Sequence, residues 1–432
     1  MQALLAFEQG PPVAVPARFF LTAPLYLVLA GVLLAFEGQA VFASRWTPAA
    51  LALTHLLTLG FMLQIMLGAL IQILPVVAGA HLPQPRLLAA VVHPALNLGV
   101  LSLALGFLQG ASTWMYAAAV FLVIALGVFI AASGWALWRV PSTSPSIRGL
   151  KIALLALLIT VLSGVYMLLA LAGGWPLVLD RVANLHAGWG LGGWTAILLA
   201  AVAYVVVPMF QLTPGYPARL AWWFPRLVFL ALLLWSVGAL MGGEWLVTVA
   251  RVLLVLTTGG FVIATLLLQK KRRRARVDVT FRYWQFALYA VLAALTMALA
   301  EGVWPALGEF KAWPLLLGLL VVLGGYVAFI TGMLYKIVPF LLWFDLQNRS
   351  AIGQPPPAMN RLLAEVEAEY QLYLFYLAGG GLLAAWIWPA AMVIPAGVLI
   401  VLTGAGLFLN LVRACWRYRG FRLQAVVNGE RA

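Results

Sequence analysis

Charged side chains are scarce in this chain. Twenty-six Lys and Arg with 12 Asp and Glu make up only 9% of 432 residues, too few to cover a water-soluble globule of that length. Cysteine is scarcer still: Cys415 stands alone, which excludes an intrachain disulfide and any thiolate cluster. A Walker motif, a dinucleotide fingerprint, a zinc-protease motif and a nucleophile elbow are all missing from any usable context. Apolar residues are abundant instead, at 65% of the chain with a mean hydropathy of +1.03, so lipid is expected to cover most of it.

Apolar runs near twenty residues recur along the whole length, each long enough to cross about 30 Å of hydrocarbon at roughly 1.5 Å per residue. Barrel strands are half as long. The expected spans are 18–36, 49–74, 87–109, 113–138, 150–172, 183–207, 221–241, 246–268, 284–301, 312–343, 371–388 and 391–412. The fold class is therefore all-α, a polytopic membrane protein of about twelve helices.

The basic residues support this count. With the N-terminus on the cytoplasmic side, 21 Lys and Arg fall in cytoplasmic segments and only Arg45, Arg181, Arg251 and Lys311 fall opposite, while Lys336 lies within a span. Both termini are then cytoplasmic in a bacterial inner membrane. The net charge of +14 is distributed over short loops rather than along an aromatic-interleaved face, so the bilayer and not nucleic acid is the expected partner. The run Lys270-Lys271-Arg272-Arg273-Arg274 reads as a topology determinant or as a site for anionic lipid. The first apolar run, without a basic n-region or a clean cleavage site, is expected to be an uncleaved anchor. Residues 345–370, with Pro355-Pro356-Pro357 and then Glu365, Glu367 and Glu369, read as a cytoplasmic linker with a short surface helix.

Three spans end alike, at Pro75, Pro208 and Pro339, the prolines being 133 and then 131 residues apart. The preceding octets are Gly68-Ala-Leu-Ile-Gln-Ile-Leu-Pro75, Ala201-Val-Ala-Tyr-Val-Val-Val-Pro208 and Gly332-Met-Leu-Tyr-Lys-Ile-Val-Pro339. They fall on the second, sixth and tenth spans. A threefold repeat of four helices follows, at about 18–138, 150–268 and 284–412 within a single membrane domain. A proline near a helix end stops or kinks the helix with little unsatisfied backbone.

Three groups of four helices, with histidines on the outer parts of the second and sixth, resemble the heme-copper oxidase subunit I superfamily. The resemblance covers nearly the whole chain at the level of architecture. It implies that His55, in Thr54-His55-Leu56, stands where that family places a low-spin heme ligand, and that His186 resembles the family's first copper ligand. The family pattern also requires two histidines on the seventh span and two on the tenth, and residues 221–241 and 312–343 contain none. An oxygen-reducing binuclear centre is therefore not expected. The chain is similar instead to divergent oxidase-derived proteins such as the NnrS type, linked to heme, copper and nitric oxide metabolism.

The four histidines divide by depth. His55 lies twenty residues before Pro75 and His186 twenty-two before Pro208, so each is about 30 Å up its helix from the proline. An imidazole inside a bilayer is costly without a partner or a metal, so both are candidate ligands for a heme b, bound axially by neutral imidazoles, or structural histidines with hydrogen-bond partners. Copper is a lesser candidate, with His93 as a further possible ligand or a structural histidine; His81 is expected to be solvated. Gly188, Gly190, Gly192 and Gly193 leave room for a flat macrocycle beside His186, or form an ordinary small-residue packing face. Gln72 aligns with Lys336 in the repeat, and Tyr204 with Tyr335. These four, with His93, are candidates for a proton path, although Lys336 snorkelling to the interface is the simpler reading.

The expected function is heme binding on an oxidase-like scaffold, in electron transfer, in oxygen or nitric oxide handling, or in support of respiratory assembly, with a cytochrome or another respiratory subunit as partner. Catalysis is left open. The competing readings are a transporter for a metal ion or small solute and a cofactor-free assembly protein.

Overall fold

A computed structural model describes residues 7–176, 179–273, 276–310, 312–349 and 356–429, and side chains as far as residue 423. The chain is 88% helical, and the described residues contain no strand. Twelve helices are long and apolar enough to cross a membrane: α1 Ala14–Phe42, α2 Pro48–Ala78, α3 Pro85–Gln109, α4 Ser112–Trp138, α5 Pro145–Gly173, α6 Leu179–Gln211, α7 Ala218–Met241, α8 Glu244–Lys270, α9 Val279–Val303, α10 Trp313–Arg349, α11 Glu365–Ile387 and α12 Pro389–Leu423. The shortest has 23 residues, about 35 Å at the helical rise, which exceeds the hydrocarbon thickness. The protein is an all-α polytopic membrane protein.

Local chemistry sets the ends of these helices. Thr47 and Ser144 accept hydrogen bonds from the amides of Ala50 and Ile147 and so cap α2 and α5, each with proline at the first helical position. Gly110, Gly174 and Gly242 follow α3, α5 and α7 with φ of 63°, 67° and 78°, a conformation that costs glycine nothing. Helices run past their apolar stretches wherever polar residues can continue the backbone bonding. That corrects two expectations. Pro75, Pro208 and Pro339 do not end their helices, and α10 continues ten residues beyond Pro339 to Arg349. The acidic stretch is not a separate surface helix either: Glu365 and Glu367 form the first turn of α11, where carboxylates suit the positive end of the helix. Within the expected linker, residues 350–355, including Pro355, lie outside the described residues.

The chain forms two compact units. The first holds residues 1–10, 70–276 and 291–305, which comprise the end of α2, α3 to α8 and the end of α9. Its helices approach closely at small residues: a methyl built on Gly99 of α3 would lie 2.8 Å from Leu122 of α4. The second holds residues 11–69, 277–290 and 306–432, which comprise α1, most of α2, the start of α9 and α10 to α12. There α1 and α12 touch backbone to backbone. A Cβ on Gly397 would stand 2.7 Å from the Gly31 carbonyl oxygen, and one on Gly404 2.8 Å from the Val28 amide nitrogen. Without a hydrophobic driving force between helices in lipid, such small-residue contacts supply much of the packing attraction.

The three helices that carry Pro75, Pro208 and Pro339 share a local irregularity. Each contains a π-helical stretch, Leu56–Leu63 in α2, Gly188–Ala196 in α6 and Leu319–Val327 in α10. Each stretch ends twelve residues before its proline, at Leu63, Ala196 and Val327. Wider turns of this kind are rare and concentrate at functional sites.

Candidate functional site

His55 is the last residue before the π-helical stretch of α2, and His186 lies two residues before that of α6. The corresponding part of α10 carries leucines, Leu317 and Leu319, and no histidine. His55 belongs to the second unit and His186 to the first.

Both half-buried rings are held in the same manner. The Nδ1 of His55 lies 2.8 Å from the Leu51 carbonyl oxygen, one turn back on its own helix. The Nδ1 of His186 lies 3.1 Å from the Thr160 carbonyl oxygen of α5 and 3.2 Å from the Ser163 hydroxyl, which itself donates to the same carbonyl at 3.0 Å. A carbonyl only accepts, so Nδ1 carries the proton in each ring. In the neutral imidazole the lone pair is then on Nε2. Metal-binding histidines are oriented by this kind of bond, which fixes the tautomer and raises the basicity of the other nitrogen.

Glycine positions the His186 ring, but not the glycines expected. A methyl on Gly164 of α5 would sit 2.8 Å from His186 Cε1 and 3.3 Å from its Nδ1, so the Cε1 corner of the imidazole reaches the bare backbone there. The four glycines after His186 are packing positions rather than a cradle for a macrocycle. A Cβ on Gly188 would meet Trp235 at 2.5 Å, one on Gly190 the Thr160 methyl at 3.3 Å, and one on Gly193 Ala156 at 2.9 Å; Gly192 faces Leu232 at 3.8 Å. The space left by the missing side chains is filled by α5 and α7. Trp189 fastens the stretch further, donating from Nε1 to Ser236 Oγ of α7 at 3.0 Å.

Around His55 the second unit brings α1, α2 and α10 together. A Cβ on Gly60 would fall 2.3 Å from the Tyr26 ring of α1, so the π-helical stretch of α2 presses against that aromatic. The π-helical stretches of α2 and α10 also pack on each other. Gln64, the residue after the α2 stretch, is fully buried and neither its Oε1 nor its Nε2 has a hydrogen-bond partner. Thr331 Oγ1 and Trp284 Nε1, on α10 and α9 of the same unit, are likewise buried and unsatisfied. Buried groups without a protein partner cost about 1–3 kcal/mol each.

The residues considered for a proton path fall into separate environments. In the first unit, Gln72 is 9% exposed with Oε1 unsatisfied, and the His93 carbonyl accepts from Asn97 Nδ2 at 2.6 Å. The buried hydroxyl of Tyr204 has no partner, and its ring centroid stands 5.2 Å from that of Tyr216. In the second unit, Tyr335 Oη accepts from Asn410 Nδ2 at 3.0 Å, and the same nitrogen lies 3.2 Å from the Glu367 carbonyl oxygen. Lys336 neither snorkels freely nor stands alone: its Nζ is 2.7 Å from Asp278 Oδ2, both side chains being mostly buried. Asp278 also caps α9 by accepting from the Phe281 amide at 2.9 Å. His81 is exposed in the loop between α2 and α3.

Among the described residues, no three His, Cys, Asp or Glu side chains converge on a common point that would hold a metal ion. No family model matches the chain, and no curated protein does.

Proposed function

We propose that this chain is a heme-binding membrane protein on a scaffold resembling heme-copper oxidase subunit I, serving electron transfer or the handling of oxygen or nitric oxide, with His55 and His186 as heme ligands. The observation that carries this reading is the matched locking of the two imidazoles through Nδ1, which prepares Nε2 of each as a ligand. Heme asks the protein for only one or two donor side chains, which suits isolated histidines better than a copper ion that needs three. A bound heme b would supply a reversible one-electron carrier.

The residues around each histidine supply orientation. Leu51 and Thr160 hold the rings by their carbonyls, Ser163 braces the second ring, and Gly164 leaves room for its Cε1 edge. Buried Gln64 offers an amide donor and acceptor in the unit that carries His55.

The test is optical. The purified protein is expected to show a b-type reduced-minus-oxidised spectrum with split or sharp α-band absorbance. Carbon monoxide added to the reduced form separates the two roles: an unchanged spectrum assigns electron transfer, and a shifted Soret band assigns gas binding. A protein expressed with ample heme and yet colourless overturns the proposal.

A further inference from the structure

In the first unit, the end at which α4 stops and α5 and α7 begin gathers five cations, Arg139, Arg148, Lys151, Arg219 and Arg226. Charge asymmetry across the membrane accounts for their being at one end, but not for how they are held. The Arg148 guanidinium carbon lies 4.3 Å from the centroid of the Trp222 ring, and that of Arg226 lies 5.5 Å from the same centroid and 5.4 Å from that of Trp223. Two guanidinium groups thus share one indole and are no farther apart than the sum of their distances to it. The backbones bring them there. A Cβ on Gly149 would be 2.7 Å from Ala201 Cβ and 3.6 Å from Pro225 Cγ, so α5 meets α7 at the residues next to the two arginines.

The surrounding groups fix these cations without neutralising them. Arg226 donates to the Trp222 carbonyl, and Lys151, three residues from Arg148 on the same helix face, donates to the Val140 carbonyl at 2.6 Å. Arg139 lies 3.8 Å over Trp135. Among the described residues no carboxylate forms an ion pair with Arg148, Lys151 or Arg226. Asp180, Glu244 and Glu301 of this unit lie at the opposite ends of their helices, and Glu8 precedes α1. Half-buried like charges gathered around one indole, with no described carboxylate paired to them, favour an anion there. A guanidinium over an indole keeps its N–H donors at its edge, so Arg148, and Arg226 through the donors that its bond to the Trp222 carbonyl does not use, can meet phosphate oxygens.

We infer that this cluster binds the phosphodiester headgroup of an acidic phospholipid. Exposed Trp135, Trp138 and Trp223, at 49%, 57% and 57%, mark the level of the membrane interface beside the cations. Farther along the same helices, the outward-facing Leu155, Leu158, Leu230 and Leu233 continue as an apolar track on which acyl chains lie. A free phosphate would use the arginines and ignore that track, so the lipid is the better fit.

The experiment uses full-length protein, delipidated in detergent, and reads thermal unfolding on addition of phosphatidylglycerol, phosphatidylcholine or inorganic phosphate. Phosphatidylglycerol is expected to raise the midpoint by several degrees and the other two by none. Arg148→Gln with Arg226→Gln is expected to abolish the rise, and Arg251→Gln, at the opposite end of the helices, to keep it. Arg148→Lys with Arg226→Lys preserves charge and folding while losing the stacked geometry, and is expected to weaken the lipid effect several-fold. An equal rise with phosphatidylcholine, an equal rise with inorganic phosphate, or a full rise in the paired lysine variant overturns the inference.

Discussion

Gly164→Ala tests the seating of His186 with one methyl group. The added carbon would start 2.8 Å from Cε1 of the imidazole, and ordinary contact begins at 3.4 Å, so the ring must retreat by about 0.6 Å or tilt. Retreat lengthens the 3.1 Å bond from Nδ1 to the Thr160 carbonyl and the 3.2 Å contact with Ser163 beyond hydrogen-bond reach. Loss of an orienting bond behind a metal-bound histidine costs about 10- to 100-fold in affinity, equivalent to about 1.4–2.8 kcal/mol. The assay is heme titration of protein expressed under heme limitation, followed by Soret absorbance, with circular dichroism to establish that the helices remain. Gly127→Ala is the control, because a Cβ there meets nothing within 4 Å, and it should leave affinity unchanged. Wild-type heme affinity in a folded Gly164→Ala protein refutes the reasoning about how His186 is oriented.

Three further outcomes follow from the packing and the ion pairs. Gly397→Leu drives a side chain into the Gly31 carbonyl and should lower stability by about 1–3 kcal/mol, seen as a drop in unfolding midpoint, whereas Gly420→Ala, in open space, should not. Lys336→Met removes the ammonium 2.7 Å from mostly buried Asp278 and should cost about 3 kcal/mol by thermal unfolding; adding Asp278→Asn should recover part of the loss, and no recovery would speak against a coupled pair. Arg417→Ala breaks a two-bond contact with Glu367, at 2.7 and 2.8 Å, that ties α12 to the start of α11. Because Arg417 is over a third exposed, the stability loss should stay near 1 kcal/mol, with faster proteolysis around residues 356–364 as the more sensitive readout.

The twelve helices were legible because a membrane span leaves a long apolar signature that tolerates error at its ends. The ends themselves were less so. Glu365 and Glu367 look like linker residues by polarity, yet carboxylates at a helix N-terminus are stabilising, and α11 starts there. The π-helical stretches left no readable signal, since uniformly apolar sequences such as Leu319–Val327 carry no polar face to show a change of period. Each inserted residue turns the rest of its helix by about 100° relative to an unbroken one, which defeats any assignment of faces from sequence.

At the candidate site, His55 and His186 were singled out by the cost of imidazole in lipid and by their resemblance in position to oxidase ligands. Their supports were not. Thr160, Ser163 and Gly164 belong to α5 and meet His186 only through tertiary packing, and Ser163-Gly164 reads in sequence as an ordinary small-residue pair. Asp278 was hidden for a similar reason: it sits in a loop by sequence, while its partner Lys336 is 58 residues away. Gln64 looks like any glutamine until its complete burial and unsatisfied amide set it apart.

Pyridine hemochrome quantification of purified wild type, His55→Ala, His186→Ala and His81→Ala tests heme ligation most directly, since it counts protoheme per chain irrespective of spin state. The account predicts bound heme in the wild type, a loss of heme in each of the first two variants, and wild-type content in the third, whose histidine is exposed in a loop. Heme content unchanged by both His55→Ala and His186→Ala, or no heme in the wild type, would contradict it.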